Sequence, residues 1–302
     1  MEFTSQGTKC VASLYRPDKA ATTNKDPPIV VMANGFGLPR GFGLPAFAER
    51  FAGRGIAVLL FDYRSLGESG GEPRNVALPF GQINDWQAAV RYARTIEGVD
   101  GDRLGVYGFS LGGGGALITA AQEDVDAYVG RTPIFDGART ILYFVRQLGV
   151  AYGLRTTWAG LRDLGRKYTG RDPYYIPIWG DYPDELPALA PPGSKEGHSA
   201  VAGEDANNPD VNRCAARAFV TFGFYRPITS ARQVDCPALV LQGTDDTIAP
   251  KSAIDATVAR LRDVRCITIE TDHFGAFDEL FEEVVEQEGD FLEQHLVTSS
   301  GA

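Results

Sequence analysis

The sequence predicts an α/β fold: an open, mostly parallel sheet flanked by helices and interrupted once by an inserted unit. Three observations carry this. Short apolar runs such as Ile29-Val30-Val31-Met32-Ala33 and Ile56-Ala57-Val58-Leu59-Leu60-Phe61-Asp62 show no polar alternation, as strands covered on both faces do. Stretches of helical period lie between such runs, the clearest being Ile83, Trp86, Val90, Ala93 and Ile96 at spacings of three and four. Finally, Val106-Tyr107-Gly108-Phe109-Ser110-Leu111-Gly112-Gly113 carries a strand end through Gly-x-Ser-x-Gly into a small, apolar helix.

In chain order, residues 2 to 16 alternate apolar and polar about Gln6-Gly7, which suits an antiparallel hairpin. A polar connector fills 18 to 28. The run from Ile29 ends in Asn34-Gly35-Phe36-Gly37, a loop whose glycines allow backbone N–H groups close to a ligand. A helix from Leu44 to Gly53, the strand from Ile56, a Gly-rich loop from Ser65 to Gly71 and the amphipathic helix from Ile83 to Ile96 follow. The serine-bearing strand and helix come next, then a strand at Ala127-Tyr128-Val129-Gly130.

Between about Asp136 and Arg232 the alternation breaks. Prolines and thirteen aromatic residues gather there, and Pro191 to Asp210 reads as a polar loop without periodicity. This implies an inserted cap at 136–232, dividing the core into 1–135 and 233–302. Alternation resumes with a strand at 238–242, a helix at 250–262, a strand at 266–269 and a terminal helix at 276–296.

Composition narrows the function classes. The 302 residues are 44% hydrophobic, enough for a sizeable core. A net charge of −10 argues against nucleic acid or an anionic membrane as partner, since both reward clustered Lys and Arg. Cys10, Cys214, Cys236 and Cys266 are far apart and form no Cys-x-x-Cys pair, so packed thiols are expected, with neither a zinc site nor a disulfide framework. No basic and apolar leader precedes the first strand and no apolar run approaches a membrane span, so a cytoplasmic location is expected.

Open parallel sheets carry their chemistry at the carboxyl ends of the strands. Three strand ends here hold suitable groups, in the order Ser110, then Asp245-Asp246, then His273. That is the order of a serine triad on this kind of sheet. The tight turn needs glycine at 108 and 112, and it aims the N–H of Leu111, at the helix start, where an oxyanion would form. A phosphate-binding glycine loop is the competing reading, but Lys-Ser/Thr and Gly-x-Gly-x-x-Gly are both missing. Of three histidines, His198 falls in the polar loop and His295 near the end of the terminal helix, leaving His273, directly after a strand, as the base. Asp245 and Asp246 both remain able to serve the second imidazole nitrogen, or to cap the next helix as an Asx-turn.

In these residues the sequence resembles a serine α/β hydrolase, in the esterase-like branch that includes polyketide thiohydrolases and transferases. The matching stretches are Val30 to Gly37, Leu60 to Arg64, Gly67 to Arg74, Gly108 to Gly113, Pro133 to Gly137, Asp246 to Pro250 and Asp272 to Phe274. The resemblance implies the α/β-hydrolase fold with a lid, Ser110 as nucleophile, His273 as base, Asp246 rather than Asp245 as acid, and an oxyanion hole from the N–H groups of Phe36 and Leu111. The family usually has His where this chain has Asn34, and that residue orders the loop more than it does chemistry.

The expected activity is a serine hydrolase that cleaves an ester, thioester or lactone through an acyl-enzyme on Ser110, without cofactor or metal. The aromatic residues of the insertion suggest a medium-sized, apolar or aromatic acyl substrate, rather than a sugar ester, a charged peptide or a long-chain lipid at an interface. Acyl transfer or carbon–carbon cleavage by the same triad, and a non-catalytic ligand-binding protein on the same fold, are the alternatives. A small-molecule substrate is the expected partner, with a homo-oligomer left open.

Overall fold

The computed structural model describes residues 1–18 and 26–298. The connector expected at 18–28 therefore lies largely outside the described residues. A central eight-stranded sheet has the spatial order β1-β2-β4-β3-β5-β6-β9-β10. The hairpin of β1 (Glu2–Ser5) and β2 (Thr8–Tyr15) forms its antiparallel edge, as the alternation at 2–16 predicts. The remaining strands are parallel: β3 (Pro28–Ala33), β4 (Ala57–Phe61), β5 (Asp100–Phe109), β6 (Ala127–Arg131), β9 (Ala238–Gly243) and β10 (Val264–Ile269). Every residue of β3, β4, β6 and β9 is buried, because helices cover both faces, and this is why their sequences do not alternate.

The flanking helices are α1 (Leu44–Gly53), α2 (Pro79–Ala93), α3 (Leu111–Ala120), α8 (Lys251–Val258) and α9 (Phe281–Leu292). Helix α2 begins one turn earlier than the apolar spacing suggests. Pro79 stands in its first turn, where a missing N–H costs nothing, and the inward positions there are Pro79 and Gln82 rather than large apolar residues. Helix α9 begins later than expected. Phe277 lies in a separate 3₁₀ turn at Gly275–Phe277, and the helix itself starts at Phe281 before running on into a π turn at Glu293–Val297.

The chain between β6 and β9 adds no strand to the central sheet. It carries α4 (Gly137–Leu148), α5 (Val150–Tyr168), α6 (Ser194–Ala202), α7 (Ala218–Phe222) and a two-stranded ribbon of β7 (Tyr175–Ile176) and β8 (Cys214–Ala215). Helix α6 overturns the expectation of an aperiodic loop at 191–210. Its inward residues are Ser194, His198 and Ala202, a correct helical spacing made of residues too polar or too small to read as a face. Gly197 lets it close onto the ring of Phe274, which a Cβ there would meet at 2.1 Å.

Cys10, Cys214 and Cys236 are buried free thiols, as expected, whereas Cys266 is exposed. Among the described residues no helix is long and apolar enough to cross a membrane.

Candidate active site

Strand β5 hands over to α3 through one residue, Ser110, held at φ 54 and ψ −120. That conformation is strained for a residue with a side chain and persists only where its surroundings fix it. They do so through three backbone bonds: Ser110 N–H donates to Arg131 O at 2.9 Å, and Ser110 O accepts from Gly113 N–H at 3.0 Å and Ile134 N–H at 2.9 Å. A Cβ at Gly108 would stand 2.2 Å from Gly112 O, and one at Gly112 would stand 2.4 Å from Asn34 O. Strand, helix and the loop after β3 therefore meet only because both positions are glycine.

That loop is the one whose ordering Asn34 puts in question. Asn34 is buried, and its Nδ2 donates to Pro39 O at 2.8 Å and Phe42 O at 2.9 Å, tying the loop into a closed turn. Its own carbonyl accepts from Tyr63 Oη, which in turn accepts from Trp86 Nε1. Asparagine thus supplies the loop anchorage expected of histidine. Gly35 is pressed against the serine, where a Cβ would come within 2.9 Å of Ser110 Cβ, and Phe36 follows at the edge of the cavity described below.

Asp246 stands in the turn after β9, and His273 in the turn after β10. The two residues are buried together, with His273 Nδ1 2.7 Å from Asp246 Oδ2. Asp246 does both of the things that its sequence position allows. Its Oδ1 accepts from the N–H groups of Ile248 (2.8 Å) and Ala249 (2.7 Å) as an Asx-turn, and its Oδ2 takes the imidazole. Asp245, by contrast, is exposed. An acidic partner at Nδ1 sets the tautomer that leaves Nε2 as acceptor. The His273 ring packs 5.1 Å from the ring of Phe109, the residue before Ser110.

The other two histidines are placed otherwise. His198 is not in a loop. It lies buried in α6, stacked 5.3 Å from Trp179 and edge-on 4.6 Å from Phe274, with Nδ1 2.6 Å from Ser194 O. Burial pushes its pKa down to about 3, so it stays neutral and shapes the wall behind His273. His295 is half-buried against Phe291.

An apolar cavity opens onto Ser110 and Leu111 between the sheet and the insertion. Helices α4 and α5 supply much of its wall through Thr140, Ile141, Phe144, Val145, Tyr152 and Thr156, together with Phe219 and Phe222 of α7. Of the thirteen aromatics in the insertion, Phe144, Tyr152, Phe219 and Phe222 thus face the serine, while Trp158, Tyr168 and Phe224 point to solvent. The hydroxyls in this wall are spent on backbone carbonyls: Thr140 on Asp136 O, Thr156 on Tyr152 O and Tyr152 on Pro187 O and Ala188 O.

Two polar residues that sequence reasoning passed over fix these walls. Asp136 caps α4 by accepting from Arg139 N–H and also holds Arg226 at 2.8 Å. Asp163 on α5 is fully buried and accepts from Tyr174 N–H, Arg217 N–H and the Arg217 guanidinium. Asp136 had a visible signal, an Asp directly before a helix start. Asp163 had none, since its partner lies far along the chain. Among the described residues no group of three or more His, Cys, Asp or Glu is placed to hold a metal ion.

A model of the alpha/beta hydrolase family matches residues 30–287. The chain belongs to that family. Among curated proteins, this hydrolase is 32% identical to the quorum-quenching protein AidA of Acinetobacter baumannii (strain MDR-ZJ06) over 97% of its own length and 94% of the relative's. A thiohydrolase of Aspergillus aculeatus, aneE, is 42% identical over 96 residues, covering 32% of this hydrolase and 30% of that protein. Among solved structures, DcsB in complex with its substrate analogue superimposes with a TM-score of 0.82 over 98% of both chains at 22% identity, a likeness of fold. The fold of this hydrolase is accordingly the alpha/beta hydrolase fold, with its mostly parallel eight-stranded sheet.

Proposed function

We propose that the protein is a serine hydrolase cleaving the ester, thioester or lactone bond of a medium-sized, apolar or aromatic acyl compound. One observation carries the reading: a strained serine lines an apolar cavity, and the ring of the residue before it packs 5.1 Å from the imidazole of a buried Asp246–His273 pair. Ser110 Oγ attacks the acyl carbonyl while His273 Nε2 takes its proton. Asp246 fixes the imidazole tautomer and stabilises the imidazolium. The N–H groups of Phe36 and Leu111, one on the anchored loop and one at the start of α3, would receive the oxyanion. The proton then passes to the leaving group, and water, deprotonated by the same nitrogen, releases the acyl-enzyme.

The contact from Ser110 Oγ to His273 Nε2 is not among the hydrogen bonds that the described residues make. Such contacts commonly tighten only when substrate is bound. The character of the cavity favours a hydrocarbon acyl group. Its hydroxyls already donate elsewhere, so a substrate carbonyl placed deep among them would lose its hydration without gaining a donor. The name of the thiohydrolase relative supports a thioester among the bonds attacked.

The test is labelling with a fluorophosphonate, location of the adduct by mass spectrometry, and turnover of p-nitrophenyl esters of graded chain length. Modification at Ser110 with turnover is the expected result. Modification elsewhere, or turnover that survives Ser110→Ala, ends this reading. Modification of Ser110 without turnover of simple esters would instead point to acyl transfer or carbon–carbon cleavage.

A further inference from the structure

The outer face of the two helices that line the cavity is unlike the rest of the surface. Nine large hydrophobic residues are exposed among the described residues, and six of them, Leu142, Val150, Leu154, Trp158, Leu161 and Tyr168, belong to α4 and α5. On α5 they are ordered. At 100° per residue, Val150, Leu154, Trp158, Leu161 and Tyr168 fall within an arc of about 80°. Leu154 and Trp158 are 67% and 70% exposed, although the opposite face of the same helix packs Tyr152, Thr156, Ala159 and Asp163 inward. Contiguous apolar surface of this kind marks an interaction site.

The charge of these helices runs against that of the chain. Within a protein of net charge −10, α4 and α5 carry Arg139, Arg146, Arg155, Arg162, Arg166 and Lys167, and their one acid, Asp163, is buried on Arg217. Among the described residues Arg146, Arg155, Arg162, Arg166 and Lys167 form no ion pair. Arg155 and Arg162 lie over the rings of Tyr182 and Tyr174, and Arg166 donates to Asp172 O. Elsewhere Arg50 of α1 and Arg54 just after it are laced to the carboxylates of α9. Arg155, Arg162 and Arg166 also make a row along one edge of the apolar stripe, about 40° wide on the same wheel. The net charge that argues against an anionic membrane is an average over a surface whose cations are concentrated here.

We propose that the outer face of α4 and α5 is a docking surface for an anionic lipid bilayer. Leu154, Trp158 and Leu161 enter the boundary of the acyl chains, and the arginine row meets headgroup phosphates. A helix of this pattern, with Trp and Leu on one side and Arg beside them, suits the plane of a membrane interface. A second copy of the chain suits the face less well. Paired antiparallel about a two-fold axis, the stripes would lay one arginine row along the other with no acid between them. Docking would set the apolar cavity about one helix diameter, ~10 Å, from the bilayer, where a small apolar substrate concentrates. The proposal goes beyond the hydrolytic reading and does not depend on it.

The test is cosedimentation of the full chain with phosphatidylcholine vesicles, with and without about 30% phosphatidylserine, together with tryptophan emission. Trp86 and Trp179 are buried, so a change on binding reports Trp158. Expected are binding to the anionic vesicles only, a blue shift of emission, and loss of binding near 0.5 M NaCl, roughly the regime in which exposed charges are screened. Leu154→Glu should weaken binding at least tenfold. The triple variant Arg155→Gln, Arg162→Gln, Arg166→Gln should lose the preference for anionic lipid. Both should keep the parent's circular dichroism and its turnover of a soluble short-chain ester, and Ser110→Ala should bind vesicles as the parent does. A parent that ignores anionic vesicles, or binding untouched by Leu154→Glu, overturns the proposal. So does a dimer that Leu154→Glu dissociates in the absence of vesicle binding, which would assign the face to a second copy.

Discussion

At the scale of single residues, the site rests on two carboxylate oxygens used differently. Because Asp246 Oδ1 is held by Ile248 and Ala249 N–H groups, Oδ2 is fixed before it meets His273. Asp246→Asn is therefore expected to keep the fold and lower kcat by ~10⁴-fold by favouring the wrong imidazole tautomer, whereas Asp245→Asn, on an exposed side chain, should change it less than about threefold. Steady-state kinetics of the two variants decide this, and the reverse order would move the acid to Asp245. Ser110→Ala should remove turnover by at least ~10³-fold without lowering the melting temperature appreciably. The candidates Ser110 and His273 were legible in the sequence because Ser110 sits in Gly-x-Ser-x-Gly at a strand end and His273, one of three histidines, follows the last strand. The choice between Asp245 and Asp246 was not legible from the residues alone, since it depends on which side chain the turn folds inward. The cavity wall was hidden for another reason: the inward face of α5, with Tyr152, Thr156, Ala159, Gly160 and Asp163, is less apolar than its exposed stripe of Leu154, Trp158 and Leu161.

At the scale of elements, the insertion combines buried apolar residues such as Phe144, Ile178 and Trp179 with a buried ion pair, Asp163–Arg217. The Asp163 carboxyl feels burial, which raises its pKa, but the hydrogen bonds from Arg217 and from the Tyr174 and Arg217 backbone outweigh this and hold it below the usual range. Arg217→Ala leaves that carboxylate buried and unpaired and is expected to cost about 3–5 kcal/mol, read as a shift in urea unfolding. A loss under about 1 kcal/mol would show that α5 is held by its apolar contacts instead. Phe144→Ala, on the inner face of α4, should enlarge the cavity and lower kcat/KM for octanoyl esters several-fold more than for acetyl esters. The parallel strands could be read from their sequence because burial on both faces writes itself as an unbroken apolar run. Helix α6 could not, because Ser194, His198 and Ala202 face inward where a large apolar stripe is normally sought. The early start of α2 and late start of α9 are similar cases, in which Pro79 and the separate turn at Phe277 set the boundary and hydrophobic spacing does not.

At the scale of the whole molecule, a buried charge cluster joins the sheet to the terminal helix. The Arg131 guanidinium lies between the rings of Phe47 (3.8 Å) and Phe277 (4.4 Å), near Glu288 on α9, whose carboxylate accepts from Tyr107 Oη at 2.9 Å. Burial pushes the Glu288 carboxyl up to about 7 from its ordinary 4.5, against the pull of Arg131 and Tyr107. Between about 4.5 and about 7 the native state thus holds a proton that the unfolded chain has released. This contribution to stability is fully present below about 4.5 and is lost as pH rises through about 7. The urea midpoint should accordingly fall between pH 5 and pH 8, and Glu288→Gln should shrink that fall. An equal fall in parent and variant would assign the pH dependence to other groups. A different consequence follows from the helix behind the serine. Glycine inside a helix costs about 1 kcal/mol relative to alanine, yet α3 opens with Gly112, Gly113, Gly114 and Gly115 in succession. Each faces a different neighbour: the loop after β3, Pro133, the Ile134 carbonyl with Tyr225, and the Trp86 indole. A library built to broaden the substrate range should therefore leave 112–115 untouched and spread its diversity over Ile141, Val145 and Phe219. Those side chains border the cavity, whereas a methyl group at any one of the four glycines would be driven into the neighbour that glycine faces.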